Sequence, residues 1–65
     1  MTLGEKLRKI RKEKDMTKQE LSTALNVPRE RIKQYEIDQE EPSDFYLTIF
    51  AQYFNISVDD LQKDE

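Results

Sequence analysis

Apolar residues recur at helical spacing along most of the chain. Leu3, Leu7 and Ile10 lie at positions i, i+4 and i+7, which predicts a first helix over residues 3–14 with a basic outer face. Strand-like alternation of apolar and polar residues is essentially absent, and the chain contains only one glycine and two prolines. The pattern therefore predicts an all-α fold.

A second helix is predicted to begin after Thr17. The segment Thr17-Lys18-Gln19-Glu20 has the spacing of a capping box, in which the threonine oxygen and the glutamate carboxylate each accept a backbone amide of the opening turn. The helix is expected to run to about residue 25. Its predicted apolar face consists of Leu21, Ala24 and Leu25.

A tight turn and a third helix follow. Asn26 tolerates a positive φ, and Pro28 keeps Val27 extended while presetting the φ that opens the next helix. The third helix is predicted over residues 29–36. Its apolar positions are Ile32 and Tyr35, so the rest of its surface is polar and mostly charged.

Two further helices are predicted from their caps. Ser43 can cap a fourth helix over 44–54, and Ser57 can cap a fifth over 58–63. The fourth helix has the apolar stripe that a core requires, consisting of Leu47, Phe50, Ala51 and Phe54. We therefore expect residues 1–65 to form a single domain, a compact bundle of five short helices.

A second apolar stripe lies on another face of the fourth helix. Phe45, Ile49 and Tyr53 occupy positions i, i+4 and i+8, and Asn55 follows in the turn after the helix. Large side chains can simply fill the core of a small domain. The alternative, which we favour, is a homodimer interface formed by Phe45, Ile49, Tyr53 and Asn55.

Composition excludes several classes of function. The chain has no cysteine and no histidine, which rules out a disulfide framework and the usual zinc sites. It has no glycine-rich phosphate loop and is too short for a large pocket, so we expect no catalytic residue, metal, cofactor or small-molecule ligand. No apolar run approaches the roughly 20 residues of a membrane span. A cytoplasmic protein is therefore expected.

The net charge of −3 hides a division between the two halves of the chain. Residues 1–36 contain ten Lys/Arg and six Asp/Glu, for a net charge of +4. Residues 37–65 contain one lysine and eight Asp/Glu, for a net charge of −7. Because electrostatic fields act over a Debye length of about 8–10 Å, the basic half can face phosphate although the whole chain is acidic.

The segment 18–37 carries the main functional signal, since it places two short helices on either side of a three-residue break. Around it, the chain has a characteristic order of residues: Leu7, Arg11, Met16-Thr17, Glu20-Leu21, Val27, Ile32, Glu36, Pro42-Ser43, Phe54, Ile56-Ser57, Asp59 and Leu61. This order resembles the phage-repressor and Cro-like (XRE-type) helix-turn-helix family over nearly the whole chain. The resemblance implies the fold of the lambda-repressor DNA-binding domain.

The resemblance also implies roles for individual residues. In this family the third helix enters the major groove, while the second lies across the DNA backbone. Arginine and lysine suit guanine, glutamine suits adenine, and glutamate can accept a hydrogen bond from cytosine. The implied base contacts are Arg29, Glu30, Lys33 and Gln34; the implied phosphate contacts are Lys18, Gln19 and Arg31; and the implied structural ion pair is Arg11 with Glu36.

The chain departs from the family pattern in the loop after the third helix. Residues 37–42 include Asp38, Glu40 and Glu41, where the family tends to have glycine and basic residues. These acids would repel phosphate, so the loop either points away from DNA or weakens binding. In the second helix, Ser22 replaces a small alanine.

The function implied by the resemblance is that of a small dimeric transcriptional regulator. It would bind a palindromic double-stranded DNA operator in a sequence-specific manner and act most simply as a repressor that blocks polymerase by occupancy. A protein-interaction module on the same fold, similar to an antitoxin or an anti-repressor, is the alternative. In that case the acidic second half would bind a basic protein.

Overall fold

The computed structural model describes residues 1–63, and within that range the chain forms helices and no strands. The prediction of an all-α fold with five helices is confirmed. Residues 64 and 65, which the predicted domain includes, lie outside the described part. The helices are α1 (Leu3–Glu13), α2 (Lys18–Leu25), α3 (Arg29–Glu36), α4 (Asp44–Phe54) and α5 (Val58–Gln62).

Side-chain caps start the helices where the sequence predicts them. The Thr17 hydroxyl accepts the Glu20 N–H at 3.0 Å, and the Glu20 carboxylate accepts the Thr17 N–H at 2.8 Å. Ser43 and Ser57 each accept the third amide of the helix that follows, at 3.4 and 3.0 Å. The backbone groups that each helix start leaves without intrahelical partners are thus partly satisfied by local sequence.

Two helix ends and one face differ from the predictions. Lys14 and Lys63 are C-caps that follow the last helical residue, whereas the predicted helices include them. Pro28 is the N-cap of α3, with φ −55° and ψ 136°, so α3 begins at Arg29 as predicted. Ala24 is exposed, because the eight-residue α2 turns only the side bearing Leu21 and Leu25 towards the core.

A single core lies between the helices. Phe50 of α4 is 1% exposed and packs edge-on against Tyr35 of α3, with ring centroids 6.0 Å apart, and stacks against Phe54 at 6.1 Å. Burial of such aromatic side chains contributes a large share of the stability of a small core. The buried apolar residues are Leu7, Leu21, Leu25, Val27, Ile32, Tyr35, Leu47, Phe50, Ala51, Phe54 and Leu61.

The start of α1 rests directly on the end of α3. Gly4 lies so close to it that a β-carbon there would be 2.4 Å from the Tyr35 carbonyl oxygen and 2.6 Å from that of Glu36. The Asp38 carboxylate accepts hydrogen bonds from the Thr2 hydroxyl at 2.6 Å and from the Gly4 N–H at 3.0 Å. Asp38 thereby caps α1, and it is not a free charge of an acidic loop.

Candidate nucleic-acid interface

Hydrogen bonds within one turn fix the angle between α2 and α3. Asn26 adopts the left-handed conformation (φ 56°, ψ 41°), and both its N–H and that of Val27 donate to the Ser22 carbonyl. The Ser22 hydroxyl donates to the Val27 carbonyl. Ser22 therefore makes a bond across the turn that an alanine could not make.

A buried ion pair joins α1 to the last turn of α3. The Arg11 Nε and Nη2 atoms donate to the two carboxylate oxygens of Glu36 at 2.7 and 3.1 Å, and each residue is only 6% exposed. The third guanidinium nitrogen, Nη1, donates to the Met16 carbonyl at 2.7 Å. A single side chain thus positions α1, the segment before α2 and the end of α3 relative to one another.

An open cleft of about 870 Å³ lies between α1, α2 and α3. It is lined by the end of α1 and the segment that follows, by the start of α2 and by the first part of α3. Cations predominate in its lining. The lining residues are Arg11, Lys12, Asp15, Met16, Thr17, Lys18, Gln19, Arg29, Glu30 and Lys33.

Five of the residues predicted to contact DNA line this cleft. Arg29, Glu30 and Lys33 are exposed on α3, and Lys18 and Gln19 open α2. The capping box occupies the amides of Thr17 and Glu20, and within residues 1–63 no acceptor bonds the amides of Lys18 and Gln19. The start of α2 therefore presents both cationic charge and backbone donors, the combination that suits a phosphate.

Two predicted contact residues do not line the cleft. Gln34 is half-buried in α3. Arg31 lies outside it, with its guanidinium 5.7 Å from the centre of the Tyr46 ring and 3.5 Å from the Tyr35 hydroxyl. The hydrogen bond to Tyr35 raises the pKa of Arg31, which strengthens its charged form. Its role as a phosphate contact remains a prediction.

A smaller cleft of about 290 Å³ continues the basic surface beyond Lys18 and Lys33, which line both clefts. Arg8 and Ile37 complete this surface, and Ile37 is 57% exposed. Sequence reasoning missed both residues. The i, i+3 relation of Arg8 to Arg11 was a usable signal, because it places the two cations on neighbouring parts of α1.

The acidic residues of the loop after α3 line neither of these clefts. Asp38, Glu40 and Glu41 line a separate depression together with Thr2 and Leu3. The expectation that this loop either points away from DNA or weakens binding remains a prediction. A Thr2–Glu5 capping box at the start of α1 was also missed, although its spacing repeats that of Thr17 and Glu20.

The second stripe of α4 remains largely outside the core. Phe45 is 69% exposed, Tyr53 is 41% exposed and Ile49 is half-buried. The Tyr53 hydroxyl lies 3.5 Å from the Met16 sulfur, at the edge of the basic cleft. Asn55 ends α4 in the left-handed conformation, with φ 59°.

The α2–turn–α3 geometry beside a basic cleft defines a helix-turn-helix domain. A model of a helix-turn-helix family matches residues 7–61, which is most of the chain. The chain therefore belongs to this Cro/XRE-like helix-turn-helix family, a family of DNA-binding transcriptional regulators. No curated protein matches the chain significantly.

Neither a candidate metal site nor a membrane-spanning helix is found in the part of the chain that the structure describes. No group of three or more acidic side chains there is placed to hold a metal ion. None of the five helices combines the length and apolar character needed to cross a membrane.

Proposed function

We propose that the protein is a cytoplasmic, dimeric repressor that binds a palindromic double-stranded DNA operator, with α3 in the major groove. The observation that supports this most is the basic cleft in front of α3, lined by Arg29, Glu30 and Lys33 from α3 and by Lys18 and Gln19 from α2. A protein bound across an operator of this kind excludes polymerase by occupancy.

The residues of α3 would read the bases. Arg29 can donate two hydrogen bonds to guanine O6 and N7, and Lys33 can contact the same edge with less directional preference. Glu30 can accept from the amino group of cytosine. Gln34, which lies outside the cleft lining, would contact adenine if its half-buried side chain turns outward.

The start of α2 would hold the DNA backbone. Lys18 supplies charge and the amides of Lys18 and Gln19 supply donors, so a phosphate placed there gains from both. Glu40 and Glu41 line a depression separate from the basic cleft, which supports an approach of DNA through the cleft. We assign Arg31 a weaker and longer-range role in backbone attraction.

The exposed apolar stripe of α4 supports dimer formation, and the modest charge of one basic half makes a second copy useful for affinity. Two copies related by a two-fold axis would place their α3 helices about 34 Å apart, one turn of B-DNA. Each copy then contributes its contacts to one half-site, which makes the operator palindromic. We assign Phe45, Ile49, Tyr53 and Asn55 to the interface.

Selection of bound duplexes from a random pool tests the proposal. We expect enrichment of a palindrome with half-sites about 10 base pairs apart. Binding of the selected duplex at physiological salt is then compared with that of a shuffled duplex of the same composition. Equal and weak affinity for the two would overturn the proposal.

One observation favours a second candidate function, that of a protein-interaction module. Glu40 and Glu41 are exposed, and Phe45, four residues after Glu41 in the sequence, is strongly exposed, a combination that suits a basic partner with an apolar anchor. This candidate predicts that charge reversal of Glu40 and Glu41 abolishes function while the Lys18→Ala variant retains it. A DNA-binding regulator predicts the opposite result.

A further inference from the structure

Helix α4 is unusual in this protein because its exposed face is almost free of charge. In a chain with 38% charged residues, Asp44 is the only charged residue among the 11 of α4. The exposed face consists of Phe45, Ile49 and Tyr53, with the neutral residues Thr48 and Gln52 beside them. Aromatic and aliphatic residues of this kind form the centres of protein interfaces, where charged residues are depleted.

The two ends of this face lie in opposite electrostatic surroundings. At the first end, Phe45 follows Asp44 and the acidic Glu40 and Glu41. At the other end, Tyr53 contacts Met16, which lines the basic cleft together with Lys18. An uncharged face with one acidic and one basic end is complementary to a second copy of itself placed in the opposite direction.

We propose that α4 pairs antiparallel with α4 of a second copy, about a two-fold axis that passes by Ile49. This arrangement rests on the dimer of the proposed function and specifies its geometry. Ile49 lies midway between Phe45 and Tyr53, four residues from each, so reversal of the helix places each Phe45 against Tyr53 of the second copy. Ile49 then meets Ile49 of the second copy, and a Phe45–Tyr53 pair lies on each side of it.

A parallel pairing of the same faces is disfavoured by charge. It would bring Asp44, Glu40 and Glu41 of both copies together at one end, where six carboxylates would repel one another. It would also align the two helix dipoles in the same direction, whereas antiparallel helices place opposite dipole ends side by side. The antiparallel pairing brings each acidic end next to a basic end.

Cysteine cross-linking tests the arrangement, since the chain contains no cysteine that could interfere. The variants are Ile49→Cys, Phe45→Cys and Tyr53→Cys, and Thr23→Cys on the exposed side of α2 is the control. Under a mild disulfide oxidant, two thiols lose two electrons and two protons to form a disulfide only where their α-carbons come within about 7 Å. Formation of covalent dimer is followed by non-reducing electrophoresis.

We expect Ile49→Cys to cross-link to itself at least about tenfold faster than the control, because pairing raises the effective thiol concentration towards the millimolar range. Phe45→Cys and Tyr53→Cys should cross-link when mixed and react slowly alone. Rapid self-cross-linking of Phe45→Cys would demonstrate the parallel arrangement, and rates equal to the control for every variant would remove α4 from the interface. Either result overturns the inference.

The same variants separate this inference from the proposed function. Their binding to the selected operator is measured in the reduced state. Operator binding with the wrong cross-linking pattern shows that only the geometry fails. Failure of wild-type protein to select any operator overturns the DNA-binding function, while correct cross-linking would still support the antiparallel pair.

Discussion

The Asp38 carboxylate accepts a hydrogen bond from the Gly4 backbone N–H at 3.0 Å, across 34 residues of sequence. The bond ties the loop that follows α3 to the first turn of α1. Negative charge is stabilising at the start of a helix, where backbone amides lack partners and the helix dipole is positive. An acid that the sequence places close to the DNA-reading helix is thus hydrogen-bonded to the start of α1.

Gly4→Ala should destabilise the protein. The added β-carbon would lie within 2.6 Å of two carbonyl oxygens of α3, and these backbone atoms cannot move without disturbing the helix. We expect a loss of about 1–3 kcal/mol in the free energy of unfolding, as for other overpacked sites. Urea denaturation measures it. Ala24→Gly makes the reverse change at an exposed site of α2 and serves as the control; it should cost about 1 kcal/mol. A Gly4→Ala variant as stable as wild type would contradict the close approach of α1 to the end of α3.

Removal of one partner of the Arg11–Glu36 ion pair should cost more. Glu36→Gln leaves the buried guanidinium without its countercharge, and such a change typically costs about 3–5 kcal/mol. For a 65-residue domain this is a large part of the total stability, so we expect partial unfolding at 37 °C in circular dichroism.

The matched control for the ion pair is the double variant Arg11→Met with Glu36→Leu. Replacement of both charges with apolar groups removes the desolvation cost together with the attraction, so much of the lost stability should return. A double variant less stable than Glu36→Gln would show that Arg11 acts mainly through its bond to the Met16 carbonyl.

Local signals account for the parts of the fold that were predicted from sequence. The caps at Thr17, Ser43 and Ser57 and the left-handed Asn26 depend on residues within a few positions, so spacing and residue type identify them. The position of Asp38 depends on contact with Gly4, 34 residues away, and no local pattern contains it. For the candidate site, the family resemblance implies Arg29 and Lys33 as contact residues, and the structure brings both to one cleft. The place of Arg31 beside Tyr46 depends on packing between α3 and α4, which no local pattern contains.

The stability of the α1 start should depend on pH through Glu5. Its carboxylate accepts the Thr2 N–H at 2.9 Å, and this hydrogen bond lowers the pKa of Glu5 below the usual value for glutamate. Because the pKa of Glu5 is lowered in the folded state, its ionised carboxylate contributes to stability at pH values above the pKa of Glu5 in the unfolded chain. This contribution is lost as the pH falls through the pKa of Glu5 in the folded protein. NMR titration should find the Glu5 midpoint below the ordinary value for glutamate, and Glu5→Gln should remove the dependence in this acid range.

Lys18→Ala and Arg29→Ala should affect DNA binding in different ways. Loss of Lys18 removes a phosphate contact, so affinity should fall for every sequence and the slope of log affinity against log salt should flatten by about one unit. Loss of Arg29 should cost about 1–3 kcal/mol on the selected operator and relax the choice of one base. Arg31→Ala is the matched control, since it removes a cation that lies outside the cleft. If Arg31→Ala changes the salt slope as much as Lys18→Ala does, the DNA phosphates also contact the protein outside the cleft.

Ile49→Glu should convert the dimer into a monomer that folds and binds only half-sites. The side chain is half-buried at the centre of the α4 stripe, so a carboxylate there faces its own copy across the two-fold axis and would have to be desolvated beside a like charge. Sedimentation should report the monomer mass at concentrations where wild type is dimeric, and affinity for the palindrome should fall to that for an isolated half-site. Gln62→Glu adds the same charge at an exposed position of α5 and should leave both properties unchanged. Far-ultraviolet circular dichroism verifies that the monomer is folded, and an unchanged mass for folded Ile49→Glu protein would exclude this face as the interface.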